Sequence, residues 1–165
     1  MTQCPHCQRQ LGAWLESLQA GRLVIRENVQ TEIRHHDTGL IEQLSSKNLV
    51  VTSGLNLLRD LLDQTQGPVT HFAVGTNATA PAASDTALIA EMYRQVVSQR
   101  DKSSAQIIHR CFVPTSAASG ITLREAGLFT AVSGGTLFSR VVHDNIVKTN
   151  NVSVTHTWTH TLATV

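Results

Sequence analysis

The stretch Val152-Ser153-Val154-Thr155-His156-Thr157-Trp158-Thr159-His160-Thr161-Leu162 alternates without interruption. Successive side chains of a strand point to opposite faces. Val152, Val154, His156, Trp158, His160 and Leu162 therefore share one face, and Asn151, Ser153, Thr155, Thr157, Thr159 and Thr161 share the other. Such a segment is a half-buried β-strand. Two histidines on its apolar face raise a metal question, but four residues along a strand separate them by about 13 Å, too far for one ion to be held by this pair alone. Hydrogen-bonded histidines at a core edge or a subunit interface are expected instead, because buried polar groups normally find partners.

The same period runs through much of the chain. Leu23, Ile25, Val29 and Ile33 point one way, while Arg26, Asn28, Gln30 and Arg34 point the other. A turn at His36-Asp37-Thr38-Gly39 leads into a return strand over 40–44, which makes a hairpin. A strand over 48–51 meets Thr52-Ser53-Gly54. There Ser53 is placed to cap a helix on Leu57, Leu58, Leu61 and Leu62 that ends before Gly67-Pro68. His71 to Val74 reads as a strand, and Ser84 or Asp85 is expected to start a second short helix through Ala87, Leu88 and Met92. Further strands are expected over 96–99, 106–113, 121–129, 136–143 and 152–162, with a tight turn at Ser133-Gly134-Gly135. Closely spaced strands separated by Gly, Ser and Asn turns predict an antiparallel β-sandwich.

Ahead of this block, Leu11, Trp14, Leu15 and Leu18 recur at helical spacing and Gly21 is placed to stop the helix. A helix this short is marginal alone in water, so its apolar stripe needs a cover: its own domain, sister copies or a partner. The expected fold class is thus mainly β. Residues 1–22 form an N-terminal anchoring segment with an amphipathic helix, and 23–165 form an antiparallel β-sandwich with two short α-helices.

Composition narrows the function. In 165 residues, charged side chains make up 15% and aromatics 4%, and the formal net charge is +1. With no Lys/Arg cluster, nucleic-acid binding is unsupported. No stretch is long and apolar enough to insert in a membrane, and the N-terminus does not read as a signal peptide, so assembly in a cytoplasm is expected.

Cys4-Pro5-His6-Cys7 is the one motif with metal or redox connotations. Structural zinc needs four ligands, usually two such pairs, and no second pair exists. Redox catalysis needs a strand before the motif, and none is expected there. Two readings remain: exposed thiols in a chain terminus, or an intermolecular disulfide that anchors the chain to another protein. With Cys111 the cysteines number three, so they do not all pair with one another. Glu125 falls on the face of Ile121, Leu123 and Phe129, where a carboxylate is costly unless paired; Arg140, or a backbone N–H near Gly127, is the expected partner. A catalytic acid would want a second carboxylate nearby, and none is adjacent in sequence. No nucleophile elbow, phosphate-binding loop or zinc-protease helix occurs, so no catalytic residue, metal ligand or cofactor is assigned.

Three stretches carry a resemblance. Asn48-Leu49-Val50-Val51-Thr52-Ser53-Gly54 with the leucine-rich helix behind it, Phe72-Ala73-Val74-Gly75-Thr76-Asn77 with 79–88 after it, and Ile121-Thr122-Leu123-Arg124-Glu125-Ala126-Gly127-Leu128-Phe129 are similar to segments of small tail-fibre and related virion proteins of tailed bacteriophages. The similarity continues through Gly134-Gly135, a strand ending in Arg140, the pair Lys148-Thr149 and a Thr-rich last strand. It spans about residues 22 to 165 and excludes Cys4 and Cys7. The resemblance implies a virion structural protein and a homotrimer.

The resulting expectation is a short trimeric tail fibre, not an enzyme, located on the virion tail. Cys4 and Cys7 would tether it and Leu11, Trp14, Leu15 and Leu18 would dock on a baseplate or tail protein. Contact with a host-surface glycan or protein is an extension of that reading, although few aromatics are available to stack on a sugar. The alternatives are a capsid decoration (cement) protein, whose N-terminal helix would clamp the capsid, and a small metal- or thiol-dependent enzyme using Cys4, Cys7 and histidines.

Overall fold

A computed structural model of the chain describes residues 23–164. The order of elements is β1 (Leu23–His35), β2 (Ile41–Ser46), β3 (Asn48–Val50), α1 (Thr52–Leu62), β4 (His71–Gly75), β5 (Glu91–Val96), β6 (Gln99–Ser103), β7 (Gln106–Val113), β8 (Ile121–Phe129), β9 (Leu137–Lys148) and β10 (Val152–Thr164). Ten strands make two five-stranded sheets, ordered β2-β1-β10-β7-β6 and β3-β9-β8-β4-β5, with every pairing antiparallel. Residues from both sheets join one hydrophobic cluster, in which Val29, Val154 and Trp158 of the first meet Phe72, Leu128 and Val141 of the second. Taking a Leu- or Phe-sized side chain out of water stabilises by about 1.5–3 kcal/mol, and this shared interior is what joins the sheets.

The first sheet follows its sequence closely. In β10 the residues Val152, Val154, His156, Trp158 and His160 are all buried. Val154, His156, Trp158 and His160 align with Ile33, Thr31, Val29 and Glu27 of β1 and with Val113, Cys111, His109 and Ile107 of β7, so strict alternation in three adjacent strands gives one inner face. The β1–β2 hairpin closes through the His35 N–H to the Leu40 carbonyl at 2.9 Å, with Gly39 at φ +73°.

The second sheet departs from the alternation. Opposite Arg124 of β8 the strand β9 bulges through residues 143–145, and a second irregularity occurs at Leu128/Phe129. Ile121 and Leu123 pack in the shared interior, but beyond the first bulge the phase flips. Ala126 and Leu128 then point inward, while Phe129 joins Val51, Ala73, Leu88 and Leu137 in a separate cluster on the outer side. Glu125 therefore does not share a face with Ile121 and Leu123, because a bulge re-aims every later side chain.

Two helix expectations are corrected. Residues 84–90 are not helical and Met92 lies in β5, so α1 is the one helix among the described residues. The amides of Ile89 and Ala90 are bonded to the Glu125 carboxylate, and the next residues pair with β4, which leaves no donors for helix turns there. Ser53 does not cap α1: its Oγ donates to the Leu137 carbonyl at 2.8 Å, and the Thr52 N–H finds the Ala83 carbonyl at 2.8 Å. Of the expected leucine stripe, Leu57 is buried but Leu62 is 88% exposed. Gly54 is required at its place, since a Cβ would lie 2.0 Å from the Phe138 carbonyl oxygen of β9.

The strand expected over 96–99 is instead a crossing. The Val97 N–H bonds to Thr70 beside the second sheet and the Ser98 N–H bonds to Arg110 in the first, both at 2.9 Å, so the chain changes sheets within one residue. No helix of the described residues is long and apolar enough to cross a membrane.

Candidate functional site

Three features of the described residues offer chemistry: a polar staple on the outer side of the second sheet, a row of histidines between the sheets, and an open apolar cleft beside α1.

The staple is built on Glu125 and Arg140, both fully buried. Arg140 donates from Nε to Glu125 Oε2 at 2.9 Å, from Nη1 to Asp85 Oδ2 at 3.0 Å and from Nη2 to the Thr79 carbonyl at 3.0 Å, and its Nη2 lies 2.8 Å from Glu125 Oε2 in an ion-pair contact. Glu125 also accepts backbone N–H groups from Ala90 at 2.7 Å, Ile89 at 3.2 Å and Asn77 at 3.4 Å. Every one of these outside partners belongs to the long connection between β4 and β5, which the ion pair thus fastens to the sheet. Gly75 permits the closeness, since a Cβ there would lie 2.7 Å from Glu125 Oε1 and 2.3 Å from the Ala90 carbonyl oxygen. The expected Arg140 partner is present. The amides come from the connection rather than from a bulge near Gly127, and the second carboxylate is Asp85, held away from Glu125 by the guanidinium between them. So saturated a pair binds a loop; it has no free lone pair or proton aimed at a substrate.

The histidines His109, His143, His156 and His160 come from β7, β9 and β10 and are all buried. Ring centroids lie 5.3 Å apart for His109–His160 and 5.3 Å for His143–His156, with Phe138 and Trp158 packed against them. His156 Nδ1 meets the Thr31 hydroxyl at 2.8 Å, His143 Nδ1 donates to the Asp144 carbonyl at 2.8 Å, and His160 Nδ1 bonds to Glu27. His109 Nδ1 and the Nε2 atoms of His143, His156 and His160 have no hydrogen-bond partner among the described residues. Burial favours the neutral rings of His109, His143 and His156. It pushes His109 down to about 4, helped by His160 and Arg100, and it holds His156 well below the ordinary histidine value, with His143 adding to the effect. His143 is also lowered by burial, against the pull of the Asp144 carbonyl and charge and of Glu125. No three His, Cys, Asp or Glu side chains gather into a metal-binding group among the described residues. Alternation placed His156 and His160 on the inner face, but Glu27 was passed over. Its signal was available: Glu27 sits between Ile25 and Val29 on the inward phase of β1.

The cleft opens between α1 and the start of β1. One part, about 690 Å3, is walled by Leu23, Ile25, Leu55, Leu58 and Leu62, with Lys47 at its margin. A second part, about 330 Å3, shares Ile25 and Leu58 and runs under α1 to His109, Phe138 and His160.

Cys4, Cys7, Leu11, Trp14, Leu15 and Leu18, the residues singled out for anchoring and docking, lie outside the described residues. Cys111 is free and fully buried, and burial raises its thiol well above the usual value, as for an inert core thiol. Comparison of the chain with protein-family models, with curated proteins and with solved structures finds no significant match in any of the three.

Proposed function

We propose that the chain is a structural component of a bacteriophage particle, a short trimeric tail fibre whose body is an antiparallel β-sandwich and whose N-terminal segment attaches it to the tail or baseplate. One observation carries this reading. The three stretches that carry the resemblance to phage virion proteins, with the strand ending at Arg140, meet in one sheet and its staple, and the Thr-rich last strand of the same resemblance is β10 of the other sheet. Residues 48–50, 72–75, 121–129 and 137–140 supply β3, β4, β8 and the start of β9, and Asn77, Thr79, Asp85, Glu125 and Arg140 are the partners in the buried ion-pair network. Lys148, also in the resembling pattern, is buried and donates to the Thr115 and Thr149 carbonyls at 3.1 and 3.0 Å. A pattern that specifies a frame and its fastening, rather than a pocket, suits a protein that acts through its shape. Attachment is assigned to Cys4 and Cys7 because they lie at the far end of the segment that leads into β1.

Immunogold electron microscopy of the intact phage with antibody against this chain tests the proposal. Label at the tail tip is expected, together with a sedimenting species of three times the 17.9 kDa chain. Label spread over the capsid would replace the fibre with a decoration protein, and particles without label would remove the virion assignment altogether.

A further inference from the structure

We infer that the apolar cleft beside α1 is the seat of the chain's own N-terminal segment, with Leu11, Trp14, Leu15 and Leu18 laid against Ile25, Leu55, Leu58 and Leu62.

The leucines of the cleft are uncovered: Leu23 is 64% exposed, Leu55 52% and Leu62 88%. Soluble chains seldom leave leucines clustered in one concavity without an occupant. The N-terminal segment carries what the cleft lacks. Leu11, Trp14, Leu15 and Leu18 recur at the spacing of one helical face and need burial to hold any helix at all. Glu16, the one charged residue between Leu11 and Leu18, suits a margin that carries Lys47 and Arg59 alongside Glu27.

Continuity selects the occupant. Leu23, the first residue of β1, is itself a wall of the cleft, so the segment leaves the fold at the cleft's mouth. Leu18 lies five residues before it and stays within about 18 Å even if the chain is fully extended. A segment tethered that closely has an effective concentration on the order of millimolar, which a sister copy or a separate protein must exceed to take its place. Seating Leu11 to Leu18 here holds Cys4 and Cys7 at the same pole of the molecule. This seating does not depend on the tail-fibre reading.

The full-length chain with Cys4→Ser and Cys7→Ser, carrying Leu18→Cys and Leu62→Cys, is to be oxidised over a range of protein concentrations. A cross-link within one chain, in a yield that dilution does not change, is expected. An interchain product whose yield falls on dilution would assign the cleft to a second copy and overturn the inference. No cross-link, with both thiols open to a maleimide reagent, would place the segment elsewhere and overturn it too. The difference in tryptophan emission between the parent chain and Trp14→Phe gives a second readout. Trp14 emission at short wavelength, shielded from acrylamide, is expected, together with a Tm drop of about 5 °C or more in Trp14→Asp. Water-exposed emission with an unchanged Tm would overturn the inference even if the engineered cysteines perturbed folding.

Discussion

The Glu125–Arg140 staple and the histidine row are both polar and both closed off from water, yet they are finished in opposite ways. At the staple the ion pair is hydrogen-bonded from several sides, and each added bond ties down another residue of the β4–β5 connection. In the row, four rings each keep a nitrogen with no partner among the described residues, and they are held by one hydrogen bond each at His143, His156 and His160 and by packing against one another, Phe138 and Trp158. A saturated charged cluster fixes one geometry, because removing any member strands a charge. A cluster with unpartnered nitrogens tolerates small rearrangements, but at His109, His143 and His156 burial disfavours a proton. The first is a fastening, and the second is a condition on pH.

The largest expected effect breaks the fastening. Arg140→Ala leaves the Glu125 carboxylate buried and uncompensated, and a loss of about 3–5 kcal/mol in urea unfolding is expected. Replacing both partners, Glu125→Leu with Arg140→Met, should recover part of that stability while the connection over 76–90 becomes more open to proteolysis, since its amides lose their acceptor. Equal losses for the single and double variants would show that the charges are not coupled.

The next effect sharpens the contrast through pH. His109, His143 and His156 titrate lower in the folded chain than unfolded, so the unfolded chain binds more protons below the ordinary histidine value near 6.5. The contribution of His109 is fully present above that pH and is lost as pH falls toward about 4, where the folded ring takes up its proton, and His143 and His156 act in the same direction. His109 alone accounts for a decline on the order of 3 kcal/mol across that window, at about 1.4 kcal/mol per pH unit. Unfolding free energies measured from pH 7 to pH 4 check this, and His109→Gln should flatten the curve. A slope unchanged by that substitution would mean that carboxylates carry the acid sensitivity.

The smallest effect lies in a single bond of the row. Thr31→Val keeps the shape but removes the hydroxyl that meets His156 Nδ1 at 2.8 Å, and a loss of about 1–2 kcal/mol is expected by thermal or denaturant melting. A loss below a few tenths would show that the ring repacks and needs no partner there.

How much of this was legible varies between the sheets. In β10 and β1 the pattern gave the strands, their inner faces and the burial of His156 and His160, because unbroken alternation has a single solution when one face is dry, and for β7 it gave the strand alone. In β8 and β9 the alternation misled: one bulge moved Glu125 to the opposite side from Leu123, and nothing in the local letters marks a two-residue excess on the neighbouring strand. The connection before β5 read as a helix start because Ser84, Asp85 and the apolar residues after them fit that template. The carboxylate that claims its amides lies 35 residues from Ala90. The Arg140 partner of Glu125 was inferable from adjacent strands; Asp85 was not.

The sequence by itself determined a mainly β chain, the strands β1, β2, β7 and β10 of its first sheet and the position of α1, since period, turn residues and helix spacing act within a few residues of one another. Only the tertiary structure decided which strands share a sheet, where the chain crosses from one to the other at Val97–Ser98, and that Glu125, Arg140 and Asp85 form one network. Those outcomes depend on contacts between residues far apart in the chain, and a hydrogen bond or a buried charge is satisfied by whatever the fold brings to it rather than by its neighbours in the sequence.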